Sequence, residues 1–135
     1  MQYMLDTDVC SYVIRNRDAR LLRTMQTRAR SGVGICISAI TYAELQLGAQ
    51  RSASVARHAG AIRSFCDRLT DVLACVRPSA DEFARIQAEL FAGGTLIGNN
   101  DAMIAAHALS VGCILVTNNQ RHFAKVLGLD LEKWI

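Results

Sequence analysis

Residues 1–15 read MQYMLDTDVCSYVIR. A short apolar run, Tyr3 to Leu5, ends on a carboxylate, Asp6, with a second, Asp8, two residues on. An acid at the mouth of a buried strand costs desolvation energy unless something offsets it. A helix follows directly, over Asp8–Arg15, and that order of strand, acid and helix recurs along the chain.

Reading outward, residues 2–6 form a first strand and residues 18–30 an arginine-rich helix. Val33–Ile37 is a short apolar strand behind Gly32. Helical patterns follow over Thr41–Gln50 and Ser54–Leu69. Asp71–Val76 reads as a strand, and Pro78 opens a helix to Phe91, since proline suits a first helical turn. Gly93-Gly94 ends that helix. Asp101–Val111 is helical, Cys113–Thr117 is a strand, and the closing LGLDLEKWI adds an edge strand. Strands alternating with helices predict a parallel sheet covered on both faces. The strands are short and rich in Ile, Val, Leu and Cys, as doubly covered strands are.

The chain has 135 residues, 51% of them hydrophobic, with one proline and nine glycines. That predicts one domain over residues 1–135, with a real core and no long linker. No apolar run reaches the roughly 18 residues of a membrane span. The N-terminus carries no export signal, so the expected location is the cytoplasm. Cys10, Cys36, Cys66, Cys75 and Cys113 show no metal-binding spacing and read as small buried hydrophobes. Net charge is +3, and thirteen of the fifteen basic residues are arginine. Six lie between Arg15 and Arg30, and Arg51, Arg57, Arg63 and Arg68 follow at spacings of five or six. Such a rim is either a solvated helix face or an attractor for nucleic acid or an acidic segment.

In an open parallel sheet, sites form outside the C-terminal strand ends. Asp6 leaves the first strand, Glu44 lies early in the helix after VGICIS, Asp101 starts NNDAMIAAHAL, and Thr117, Asn118 and Asn119 follow CILV. The fold rule brings them to one edge. Carboxylates gathered in a small cleft cannot all ionise without a cation, and an all-oxygen set suits Mg²⁺ or Mn²⁺. Each position has a plainer reading. Asp8 can cap its helix. Glu44 can close a capping box from Thr41. Asp101 can serve its helix dipole, and Asn119 can be a turn residue. The joint arrangement carries the inference.

MLDTD, ISAITYAEL, IGNNDAMIAAHAL and LVTNNQRHF together resemble the PIN-domain ribonucleases, and more narrowly the VapC toxins of bacterial toxin–antitoxin pairs. The resemblance covers nearly the whole chain in order. It implies a three-layer α/β/α fold with a mostly parallel sheet of four to five strands. It matches Asp6, Glu44 and Asp101 to the family's catalytic acids. Asn119 stands where the family often has aspartate, which weakens the case for a four-carboxylate site. Thr117 would orient the same network, with Asp8 supporting. The activity implied is Mg²⁺-dependent RNA hydrolysis, Mn²⁺ substituting, that leaves a 5′ phosphate and a 3′ hydroxyl and needs no histidine. The implied substrate is single-stranded RNA, with initiator tRNA at the anticodon as one expectation. The implied partners are a VapB-type antitoxin, a second copy of the chain in a homodimer, and operator DNA through the antitoxin alone. Two rivals stand beside this. One is a PIN fold that binds RNA or protein without cutting. The other is an aspartyl-phosphate enzyme, which wants a nearby lysine, whereas Lys125 and Lys133 both lie in the tail.

Overall fold

The computed structural model describes residues 2–15 and 18–134. Arg17, one of the six arginines between Arg15 and Arg30, lies outside the described residues. The chain runs β1 (Gln2–Leu5), α1 (Thr7–Ile14), α2 (Ala19–Arg30), β2 (Gly34–Ser38), α3 (Ala39–Gln50), α4 (Val55–Cys66) and β3 (Asp71–Leu73). It continues through α5 (Arg77–Ala92), α6 (Asn99–Val111), β4 (Ile114–Val116), α7 (Gln120–Phe123) and β5 (Leu131–Glu132). The sheet order is β3-β2-β1-β4-β5, and each neighbouring pair is parallel.

β1 is central, so its side chains must be buried on both faces. Tyr3 and Leu5 point into one layer with Ile35, Ile37 and Val116, covered by α1, α2, α3 and α4. Met4 points the other way with Cys36 and Leu115, under α5, α6 and α7. The period-two alternation of a strand thus divides one short apolar run between two cores. Burial of each such side chain contributes about 1.5–3 kcal/mol before chain entropy is set against it.

The tail adds a parallel edge strand, with Leu131 opposite Leu115. It is held by Arg28, whose guanidinium donates to Glu132 at 2.7 Å and to the Tyr3 hydroxyl and lies over the Trp134 ring. Trp134 meets Tyr3 edge-on at 5.1 Å. β3 spans three residues rather than six, because only Asp71–Leu73 has a partner, Cys36–Ser38 of β2. Among the described residues, no helix is long and apolar enough to cross a membrane.

Candidate active site

Parallel strands place every strand exit, and the N-terminus of the helix that follows, along one edge. Asp6 is the first residue past β1 and the N-cap of α1, and its Oδ1 accepts the Thr7 amide at 2.8 Å. The cap of this helix is therefore Asp6, not Asp8. Asp8 sits in the first turn, where its Oδ1 accepts the Val9 amide at 2.7 Å. The other Asp6 oxygen accepts the Thr117 hydroxyl at 2.8 Å, which ties the β1 exit to the β4 exit. Asp6 is only 5% exposed. Burial, and then the nearby charge of Asp8, push its carboxyl up to about 7, against the opposing hydrogen bonds from Thr117 and Thr7.

Glu44 is not the end of a capping box. The N-cap of α3 is Ser38, whose Oγ accepts the Ile40 amide at 3.1 Å, so Thr41 lies inside the helix. Released from that role, Glu44 reaches across to α1. Its Oε1 accepts the Thr7 hydroxyl at 2.6 Å, and its Oε2 accepts from the Asn100 side chain at 3.4 Å. Thr7 therefore holds two acids at once, Asp6 through its backbone and Glu44 through its side chain. The Ser38 cap is itself tied to α6, since His107 Nδ1 lies 2.8 Å from Ser38 Oγ. His107 is fully buried, and that burial pushes its pKa down. It therefore serves to dock the two helices that carry Glu44 and Asp101.

Asp101 occupies the first turn of α6, and its Oδ2 lies 2.9 Å from His122 Nε2 on α7. Burial raises its carboxyl, the His122 ring opposes that, and Glu44 and Asp8 add to the rise. Asp6 in turn feels Asp101. The four carboxylates of positions 6, 8, 44 and 101 are thus electrostatic neighbours on one edge. Asn119 is the N-cap residue of α7 and is exposed. It engages the cluster through its backbone, its amide donating to Thr117 Oγ1 at 3.0 Å.

The donor set is all oxygen, and burial first, with the neighbouring like charges added to it, holds the carboxyls of Asp6 and Asp101 up. That is the chemistry of a hard divalent cation. Among the described residues no three acidic, histidine or cysteine side chains are grouped closely enough to hold a metal ion as they stand, so a cation shared by these acids would require the carboxylates to draw together.

A family model for the PIN domain matches residues 3–128. The chain belongs to the PIN-domain family. This PIN domain is 43% identical over 135 residues to Ribonuclease VapC2 of Haemophilus influenzae, covering 100% of this chain and 99% of the relative. It is 39% identical to the tRNA(fMet)-specific endonuclease VapC of Shigella flexneri, covering 99% and 98%. The solved VapBC2 of Rickettsia felis, bound to a DNA fragment from its promoter, superposes with a TM-score of 0.94 at 32% identity, covering 100% of each chain. DNA-bound VapBC from Salmonella typhimurium follows at a TM-score of 0.92 and 35% identity, covering 100% and 99%.

Sequence reasoning named Asp6, Asp8, Glu44, Asp101, Thr117 and Asn119 for this edge of the PIN domain. It missed Thr7, Asn100 and the pairing of His122 with Asp101. Thr7 was legible only as the residue between two aspartates. Nothing in a linear pattern says that its hydroxyl meets a glutamate thirty-seven positions away.

Proposed function

We propose that residues 1–135 act as one cytoplasmic PIN domain, an Mg²⁺-dependent endoribonuclease of the VapC kind that inhibits translation by cutting RNA. Its relatives' names and its VapBC structural neighbours support this reading. The observation that carries it is the convergence of Asp6, Glu44 and Asp101 on one sheet edge, with Thr7 and Thr117 fixing the first two. Asp6, Glu44 and Asp101 would hold the cation, with Mn²⁺ able to replace it. Bound there, the ion supplies charge neutralisation for the phosphate and a more acidic attacking water.

The remaining chemistry belongs to the chain. Thr117 and the Thr7 amide each hold one oxygen of Asp6 and so fix its rotamer at the strand exit. Thr7 and Asn100 hold Glu44 in place. His122 orients Asp101 and fixes one of its oxygens. Asn119 presents a neutral amide in place of a fourth charge, which lowers the repulsion in the cleft and leaves its side chain free to bind a water or the substrate. The N-termini of α1 and α6 point toward the same edge and favour an anionic phosphate.

The substrate is single-stranded RNA. Initiator tRNA cut at the anticodon is the specific target we propose, in line with the name of the Shigella relative. The partner is a VapB-type antitoxin, which contacts operator DNA on behalf of the pair, and the toxin itself forms a homodimer. The test is incubation of purified protein with RNA and Mg²⁺. Cleavage that leaves 5′ phosphates, abolished by EDTA and by Asp101→Asn, is the expected result. Undiminished cleavage in EDTA would remove the metal from the mechanism, and no cleavage under any divalent ion would favour the RNA-binding module instead.

A further inference from the structure

One nitrogen stands among the oxygens of the acid edge. His122 lies on α7, and its Nε2 is 2.9 Å from Asp101 Oδ2. Among the described residues it is the one histidine in contact with one of the acids. His107 is fully buried against Ser38, and His58 on α4 commits Nδ1 to the Ser54 carbonyl at 2.9 Å. The His122 ring is held by its neighbour, since it meets the buried Phe123 ring edge-on at 5.6 Å. The pair is open to solvent, with side-chain exposures of 26% for His122 and 35% for Asp101, whereas Asp6 is buried. An ion arriving from water meets this pair first.

The separation suits a shared ion. Two donors at right angles on an octahedral ion, each bonded at about 2.1 Å, stand about 3.0 Å apart. Asp101 Oδ2 and His122 Nε2 already stand near that distance. Both can therefore turn from their mutual hydrogen bond to one cation without moving apart. Ligation needs a lone pair on Nε2 and the ring proton on Nδ1. His122 Nδ1 makes no hydrogen bond to protein among the described residues, and the ring is partly exposed, so water can accept that proton. A neutral imidazole also adds a donor without adding charge, on an edge where Asp101 already feels Glu44 and Asp8.

We propose that His122 is a nitrogen ligand to the cation of this edge, beside Asp101, and that it makes the site prefer a first-row transition ion such as Mn²⁺ over Mg²⁺. This rests on the ribonuclease reading above and adds to its three carboxylates a donor of another class. Mg²⁺ takes oxygen donors and keeps its waters, whereas the transition ions accept imidazole. The carboxylates serve either ion, and the ring discriminates between them. A ring that only orients Asp101 would behave differently, because its loss would weaken the two ions alike.

The test is calorimetric titration of the full chain with Mn²⁺ and with Mg²⁺, without RNA, and pulsed electron paramagnetic resonance of the Mn²⁺-loaded protein. The spectrum should show coupling to an imidazole nitrogen bound directly to the ion, and the coupling should change when histidine is supplied with the heavy nitrogen isotope. His122→Gln should abolish that coupling and raise the Mn²⁺ Kd roughly tenfold or more, while the Mg²⁺ Kd moves by less than about threefold. His58→Gln is the control and should keep the coupling and both constants. Circular dichroism checks the fold. Should His122→Gln fail to fold, the isotope-labelled unaltered chain decides alone. Bound Mn²⁺ with no histidine coupling would overturn the ligand, as would coupling that survives His122→Gln. Equal weakening of both ions by His122→Gln would also overturn it and leave His122 a positioning residue for Asp101. Failure of the ribonuclease reading shows separately, as an unaltered chain that binds Mn²⁺ through histidine yet cuts no RNA.

Discussion

The hydroxyl of Thr7 donates to Glu44 Oε1 at 2.6 Å, while the amide of the same residue donates to Asp6 Oδ1 at 2.8 Å. One residue therefore sets the separation of two acids from different strand exits. Thr7→Val keeps the shape and the amide but removes the hydroxyl. We expect it to lower kcat by roughly ten- to a hundredfold through misplacement of Glu44, with Thr7→Ser restoring most of the loss. Steady-state cleavage kinetics on the three proteins decide the point. Equal rates in Thr7→Val would make the contact incidental.

Asp6 gives a prediction whose sign depends on pH. Its folded pKa, about 7, lies above the unfolded value near 3.8. The folded protein therefore binds the extra proton between those limits, and metal-free stability falls as pH rises from about 4 to about 7. The accumulated penalty is up to roughly 4 kcal/mol. Asp6→Asn removes the charge and retains the acceptor for Thr7. It should be more stable than the unaltered chain at pH 8 without metal and about equal to it at pH 4. Urea unfolding at the two pH values reads this directly. A destabilised Asp6→Asn at pH 8 would make Asp6 a helix cap and little else.

Mg²⁺ should reverse that penalty. A ligand that binds only the folded state stabilises it by mass action, so the melting temperature of the unaltered chain at pH 8 should rise with Mg²⁺ concentration. Asp101→Asn and Glu44→Gln should each blunt the rise. A melting curve indifferent to Mg²⁺ and Mn²⁺ alike would argue against a cation at this edge.

Ser38 caps α3 and meets His107 of α6. Ser38→Ala should cost about 1 kcal/mol for the cap and more because the buried His107 ring loses the Ser38 hydroxyl. Chemical denaturation measures the cost. A loss of activity larger than the loss of folded protein is expected too, because both acid-bearing helices are docked through this contact.

The order of elements was legible because apolar runs and helical spacing alternate so regularly. Even the edge strand at Leu131–Glu132 follows from the closing residues. What misled was local chemistry with two outcomes. Thr41-x-x-Glu44 satisfies the pattern of a capping box, but β2 ends one turn earlier, and its last residue, Ser38, takes the cap because its hydroxyl accepts the Ile40 amide. Asp8 satisfies the pattern of a cap, but Asp6 is closer to the strand end. Strand lengths at the sheet edge also escaped the sequence. The run is apolar from Val72 to Val76, yet pairing stops at Leu73, where β2 stops. His122 is the clearest miss. Its partner, Asp101, lies on another helix, and the spacing of neither motif points to the other.

The most direct measurement is anomalous diffraction from crystals of the protein grown with Mn²⁺. The account predicts a single strong peak at the sheet edge within about 2.0–2.3 Å of carboxylate oxygens of Asp6 and Asp101, with Glu44 ligating directly or through a water. A map with Mn²⁺ bound elsewhere, and these three carboxylates free of any ion at saturating concentration, would contradict it.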